Sequence, residues 1–336
     1  MSVGDKFGGK TGDKSGSTFG SAAYGGDNWS PRLATHRQEI GNIWADCGID
    51  SEWRPLKSVL LHCPGEELNA ADKDPDKIQM LDVIDLGRAR DEHAAMVDAY
   101  RANGVAVHEV EPDQPCPPTL MFCADLLVMT PQGAILARPA STVRAGEERQ
   151  VARKLAALGI PILATLTGTA CFEGADLMWL DEKTAIIGRG LRTNDAAITQ
   201  IGNLLGGLGI ELIAVDMPFG SMHFMGMLRI VDRDLAICWP RRTPHRCVTR
   251  LRELDYQVMF PDFHDDQASY RGINFVTLGP RRILMVAGLT GLQEEFEKLG
   301  IECLTCPTDE LSRAAGNVGC LTGVLWREQQ QPAHSG

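Results

Sequence analysis

DLLVMTPQGAILAR (125–138) reads as a polar residue, an apolar strand, a tight turn and a second apolar strand. The pattern returns as DLMWLDEKTAIIGR (176–189), GMLRIVDRDLAICW (226–239) and NFVTLGPRRILMVA (274–287), at a spacing of about 50 residues. A further copy begins as CLTGVLW at Cys320, and a degenerate first copy reads VLLHCPG from Val59. Self-similarity at a fixed period marks a repeated supersecondary unit that buries its apolar face against its neighbours. The heads of the copies carry Asp, Glu, His, Asn and Cys, so a ring of such units would gather one reactive side chain per copy at its centre.

The segments between the hairpins have helical periodicity. LGRARDEHAAMVDAYRANG (86–104) spaces Ala94, Met96, Val97 and Tyr100 near a helical repeat and stops at Asn103-Gly104. AGEERQVARKLAALG (145–159) has an acidic first turn, basic later turns and a terminal glycine, as the helix dipole and C-cap favour. TNDAAITQIGNLLGGLG (193–209) offers Thr193 or Asn194 as its cap, and HRCVTRLRELDY (245–256) and LTGLQEEFEKLG (289–300) complete the set. A short apolar strand follows each: VAVHEV, IPILAT, IELIAV, YQVMFP and IECLTC. Hairpin, helix and returning strand make a mixed sheet with its helix outside. Five such units predict an α/β fold, a five-bladed α/β propeller; the alternative is an open α/β sheet whose spacing is coincidental.

The chain has 336 residues, 44% hydrophobic and 23% charged, enough to bury a sizeable core. The repeat runs without a linker, which predicts one catalytic domain over 28–328 between disordered tails at 1–27 and 329–336. A net charge of −11 argues against nucleic acid or an anionic membrane as partner and suits a small cationic substrate. No apolar run reaches the roughly 18 residues of a membrane span, and the glycine-rich start has no apolar core for a secretory signal. Ten cysteines without such a signal predict reduced thiols in a cytoplasmic protein. Cys303 and Cys306 form a C-x-x-C with no second pair at finger spacing, which argues against zinc. Cys63, Cys123, Cys171, Cys238 and Cys247 lie in apolar runs and are expected as buried small hydrophobes.

Four stretches carry chemistry. Cys320 in AAGNVGCLTGVL follows Gly316 and Gly319, which suggest a flexible, open approach to a nucleophilic thiol. His223 in PFGSMHFMGMLRIVD precedes a hairpin strand and suits a general acid/base; His93 on a helix, and His245 and His264 in loops, suit it less. Glu173 and Asp176 in CFEGADLMWL, and Asp125 in MFCADLLVM, are carboxylates among apolar residues, where burial demands a cationic or hydrogen-bonding partner. Three carboxylates at equivalent positions would clamp a planar guanidinium through its fixed fork of N–H donors.

In order, spacing and repeat phase these residues resemble the guanidino-group-modifying superfamily of arginine deiminases, dimethylarginine hydrolases and amidinotransferases, over roughly residues 53–327. The resemblance rests on Asp125, on FEGAD (172–176) as this chain's version of the family's E-G-G-D, on His223 and on the late Cys320. SVLLHCPGEEL (58–68) looks like the opening strand of deiminases, and IIGRGLRTN (186–194) is similar to a G-x-S-x-R-T-N stretch whose Arg holds the substrate carboxylate. The resemblance implies that role for Arg192 and, as a second carboxylate contact, for Arg144 in VRAGEE. It further implies a thiolate attack by Cys320 on a guanidinium carbon held by Asp125 and Glu173, with His223 protonating the leaving amine and then activating water. No metal or organic cofactor is required. A homodimer is common among such enzymes, and the sequence carries no signal for it.

This chain departs from the family pattern at three places. Met225 stands where deiminases and amidinotransferases usually carry an Asp two residues after the His, Ala124 replaces an Arg ahead of Asp125, and Ala175 replaces the second Gly of E-G-G-D. The first puts unmodified arginine in doubt as substrate and suits an N-alkylated guanidine, since a free N–H would face no acceptor there. The leading expectation is a hydrolase of a guanidine or amidine C–N bond in an arginine-like compound. An amidinotransferase passing the same intermediate to an amine is the alternative, and a catalytically silent propeller acting as a binding module is a third.

Overall fold

The structure is a computed structural model that describes residues 20–72, 74–113, 116–262 and 271–329. Most of the two expected tails, and His264, lie outside the described residues. Two compact units divide between Gln38 and Glu39. The first, where described, holds a short turn at Ala22–Tyr24. Among the described residues, the second holds fifteen strands, β1 to β15, in five three-stranded sheets.

Four sheets are consecutive in the chain, and each is built alike. A hairpin is followed by a helix and by a third strand parallel to the hairpin's second. Strands β3 (Leu127–Thr130) and β4 (Gly133–Leu136), helix α2 (Glu147–Ala157) and β5 (Ile162–Thr165) form one unit. The next is β6 (Leu177–Asp181), β7 (Thr184–Arg189), α3 (Asp195–Gly207) and β8 (Glu211–Asp216). Then come β9 (Leu228–Asp232), β10 (Leu235–Cys238), α4 (His245–Glu253) and β11 (Gln257–Met259). The last of the four is β12 (Val276–Gly279), β13 (Arg282–Val286), α5 (Thr290–Lys298) and β14 (Glu302–Cys306).

The remaining sheet unites the two ends of the repeat. Strand β15 (Gly323–Arg327) pairs antiparallel with β1 (Leu56–Leu61), which pairs in parallel with β2 (Ala106–Glu109) after helix α1 (Leu86–Ala102). The degenerate copy at Val59 and the copy begun at Cys320 are therefore two halves of one unit. The shared sheet touches its neighbours through β15 with β3 and through β1 with β12, and β12 also touches β9. One strand from every sheet contributes to the wall of one small cavity, through Val128, Met178, Ile230, Thr277 and Val324.

The hairpins are buried on both faces, which accounts for their near-continuous apolar runs rather than strict alternation. The third strands are half exposed and read accordingly. Trp179 is fully buried and donates its indole N–H to the Met129 carbonyl at 3.1 Å, tying β6 to β3. Asn194, rather than Thr193, caps α3 by accepting from the Ala197 amide. His245 opens α4 instead of lying in a loop. Cys123, Cys238 and Cys247 are buried as expected, but Cys63 and Cys171 lie in irregular segments outside the strands and are half-buried.

Candidate active site

The turn leading into the first strand of each sheet presents one side chain of the site. Asp125 ends the turn Cys123–Asp125 before β3, and Asp176 ends Gly174–Asp176 before β6, with Glu173 at its N-cap. His223 caps Phe224–Gly226 before β9, Asn274 stands just ahead of β12, and Cys320 lies in the short helix α6 (Val318–Leu321) before β15.

Glu173 and Asp125 face a shared set of cations. His223 donates from Nε2 to Glu173 Oε2 at 2.6 Å, and its Nδ1 lies 3.7 Å from Asp125 Oδ1. Arg144 donates through one Nη1 to Asp125 Oδ2 at 2.7 Å and Glu173 Oε2 at 2.9 Å. Arg192 donates to Glu173 Oε1 at 3.2 Å. All of these groups are buried, so each charge persists only because its partner is present. Burial pulls the His223 imidazole down, but Asp125 and the hydrogen-bonded Glu173 outweigh it and hold it at about 9. Burial pushes Glu173 up, and the His223 hydrogen bond with the Arg144 and Arg192 charges more than reverses this, leaving it far below the usual carboxylate range. At neutral pH the site holds an imidazolium between two carboxylates.

Arg144 lies elsewhere in this arrangement than the sequence implied. Its Nε and Nη2 donate to Glu147 Oε2 at 2.9 and 2.8 Å, so its fork is occupied by three carboxylates of its own chain. Glu147 is itself fully buried and accepts from Thr119 Oγ1. Asp176 faces away from the cations. Its oxygens accept from Thr193 Oγ1 at 2.6 Å and from the Phe224 amide at 2.9 Å, which fixes the backbone beside His223. Burial raises its pKa to about 6.

Cys320 is held by Asn274, which donates Nδ2 to Sγ at 3.0 Å and accepts from the Cys320 amide at 3.0 Å. Burial and the nearby Asp125 charge push the thiol up, opposed by the Asn274 hydrogen bond and by Arg229. The glycines before it serve closeness rather than flexibility. A Cβ on Gly319 would collide with Arg229 Nη2 and Asn274 Oδ1, and one on Gly316 with the ring of Phe122. Met225 Sδ lies 3.9 Å from the thiol, in the place where a carboxylate was expected.

Cys320, His223, Asp125, Arg144 and Arg192 line one narrow cleft. Asp125 Oδ1 is buried there without a hydrogen-bond partner, and so is Oε1 of Gln79 on the cleft wall. Gln79 holds a left-handed backbone at φ 64°, an unfavourable conformation for a residue with a Cβ. Sequence reasoning missed Gln79, Glu147 and Arg229; it placed Asn274 at the head of a copy without giving it a role. Asp125, Glu173 and His223 also stand close enough to ligate a cation, as do His62, Glu67 and Cys116 outside the cleft. In the first set Arg144, Arg192 and the imidazolium already supply the positive charge.

A buried thiol, a charged imidazole and a carboxylate oxygen without a hydrogen-bond partner in one cleft fit a guanidino-group-modifying enzyme. A family model described as N,N dimethylarginine dimethylhydrolase, eukaryotic, matches residues 69–322, and the chain belongs to that family. It is a hydrolase acting on guanidino C–N bonds. It is 27% identical over 239 residues to the N(G),N(G)-dimethylarginine dimethylaminohydrolase of Streptomyces coelicolor, covering 71% of this chain and 86% of that one. An arginine deiminase of Mycoplasma capricolum is 26% identical over 47% of this chain and 48% of the relative. The fold matches that of a dimethylarginine hydrolase from Pseudomonas aeruginosa in complex with citrulline, at a TM-score of 0.67 and 19% identity over 82% of this chain and all of that one. An amidinotransferase of saxitoxin biosynthesis from Microseira wollei shares the fold at a TM-score of 0.67 and 14% identity, over 86% and 99% of the two chains. Among the described residues no helix is long and apolar enough to cross a membrane.

Proposed function

We propose that this chain hydrolyses N-substituted arginines through a covalent intermediate on Cys320, in a closed five-bladed α/β propeller. The shared sheet of β15 and β1 and the cavity walled by all five sheets support the closure. The observation that carries the chemistry is the imidazolium of His223, clamped by Glu173 and Asp125 on the wall of a cleft that also holds Cys320.

The substrate guanidinium enters beside Asp125, whose Oδ1, without a hydrogen-bond partner of its own, accepts one of its N–H groups. Neutralising Asp125 removes one cause of the raised thiol pKa, so substrate binding favours release of the thiol proton. The thiolate attacks the central guanidinium carbon and forms the S–C bond. His223, charged at neutral pH, gives its proton to the departing amine as the C–N bond breaks. An S-alkylthiouronium remains on Cys320. Neutral His223 then takes a proton from water, the hydroxide adds to the same carbon, and the S–C bond breaks to give the urea-type product and the thiolate. Glu173 orients His223, and Asp176 positions it through Phe224. Arg192 contacts the carboxylate of the substrate at the cleft wall. Arg144, bound to Asp125, Glu173 and Glu147, holds the acidic cluster together; any contact to substrate would require it to leave one of them. The ten free thiols suit a reducing compartment, the cytoplasm.

A panel of guanidino acids incubated with and without acceptor amines tests this reading. Urea-type product without acceptor supports hydrolysis. Turnover only in the presence of an acceptor amine would replace it with amidino transfer.

A further inference from the structure

Outside the catalytic cleft, three side chains with metal-binding chemistry meet where the reaction has no use for them. His62 follows β1, Glu67 lies in the short turn Glu66–Asp72, and Cys116 stands beyond β2 on the way to the cleft wall. One ligand atom from each lies within 4.8 Å of the other two. His62 and Glu67 are buried, and Cys116 is half-buried.

Both nitrogens of His62 face acceptors. Nδ1 lies 3.0 Å from the Val110 carbonyl oxygen, and Nε2 lies 3.0 Å from Glu67 Oε1. A neutral imidazole has one N–H to give. Given to the carbonyl, it turns the lone pair of Nε2 on the carboxylate, so the place between them calls for a second proton or a metal ion. The carbonyl contact at Nδ1 is the kind of outer hydrogen bond that fixes a metal-binding imidazole in its tautomer. A proton serves only His62 and Glu67, whereas a metal ion also takes up the Cys116 thiol beside them. No other cation fills the place. Among the described residues Glu67 has no arginine or lysine partner. Arg90 is turned to the Pro64 carbonyl at 3.0 Å and to Glu66 at 3.5 Å. The neighbouring His93 is held at about 4 by burial and by the His62 charge, so it is neutral. In the set of Asp125, Glu173 and His223, by contrast, Arg144 and Arg192 already supply the charge.

We propose that His62 Nε2, a Glu67 carboxylate oxygen and Cys116 Sγ bind one divalent cation of the zinc class. Imidazole and thiolate select such an ion over magnesium or calcium, which prefer oxygen. The three atoms reach bonds of about 2.0–2.3 Å after small side-chain rotations, and water takes the fourth tetrahedral position. Burial, then Glu67 and Glu147, hold the thiol up at about 12, so binding releases its proton to solvent. The ion pins the segment leading to Gln79 against the segment leading to Thr119, and both residues line the catalytic cleft. It takes no part in the hydrolysis, and the site stands apart from that reading.

The full chain carrying Cys320→Ser, which takes the catalytic thiol out of competition, is stripped with a chelator and dialysed against zinc or cobalt with magnesium in excess. It should retain one zinc per chain. Cobalt in its place should show a sulfur-to-metal charge-transfer band. Adding Cys116→Ser or Glu67→Gln should weaken zinc by about a hundredfold or more, since even the outer partners of a metal ligand contribute ten- to hundredfold. In the unsubstituted chain, zinc should slow alkylation of Cys116 by iodoacetamide tenfold or more, read by peptide mapping, and leave the half-buried Cys171 unchanged. No retained zinc, a cobalt spectrum without the sulfur band, unslowed alkylation of Cys116 or equal binding after Cys116→Ser would each overturn the site and leave the chemistry at Cys320 untouched.

Discussion

His223 is held at about 9 against an ordinary value of 6.5, a rise of about 2.5 pH units. At about 1.36 kcal/mol per unit, the buried ion cluster gives the imidazolium roughly 3 kcal/mol of preference for the folded state. The folded pKa lies above the unfolded one. The stabilisation is therefore complete below pH 6.5 and is lost as pH rises through 9. His223→Gln removes it at every pH. Urea unfolding of the two proteins between pH 6 and pH 10 should show a stability gap that closes by about 3 kcal/mol across this range. Buried thiols such as Cys123 and Cys247, held up by burial, also destabilise the fold above pH 9, but both proteins share them and the difference cancels their effect. Parallel stability curves would refute the claim that Asp125 and Glu173 hold an imidazolium, and with it the role of His223 as the acid for the leaving amine.

Two substitutions separate the carboxylates and glycines by role. Asp176 is held near 6 by burial, against 3.8, so its charge costs the fold up to about 3 kcal/mol at neutral pH, relieved as pH falls through 6. Asp176→Asn can still accept from the Phe224 amide and donate to Thr193. It should therefore raise stability at pH 7.5 by about 1–3 kcal/mol in denaturant unfolding while keeping measurable turnover. Gly319→Ala forces Arg229 and Asn274 off the nucleophile; overpacking of this kind costs about 1–3 kcal/mol, and kcat/KM should drop at least tenfold.

The repeat was legible because a doubly buried hairpin needs a near-continuous apolar run and a tight turn, which the 125–138 stretch displays without ambiguity. The helices were legible from capping chemistry and period, as at 195–207. What the repeat concealed was the sheet shared by its two ends, since β15 and β1 lie far apart in the chain and neither half looks like a complete unit. Cys320, His223, Glu173 and Asp125 could be read because a charged or nucleophilic residue between apolar runs has few bland explanations. Glu147 could not: in EERQ it looks like an acidic first turn complementing a helix dipole, and only the fold buries it against Arg144. The carboxylate partners of Arg144 were hidden for the same reason, because an arginine near a helix start reads as a surface or substrate contact until they are known. Gly319 gave a true signal with the wrong cause. Its absent side chain makes room for Arg229, which comes from a strand some 90 residues away in sequence.

The central claim is the covalent bond. Rapid acid quench of the enzyme during turnover of an N-substituted arginine, followed by intact mass measurement and peptide mapping, tests it directly. The account predicts a mass increase equal to the substrate less its departed amine, confined to the peptide that carries Cys320 and absent from Cys320→Ser. An unmodified protein under active turnover, or an adduct on any other cysteine, would contradict it.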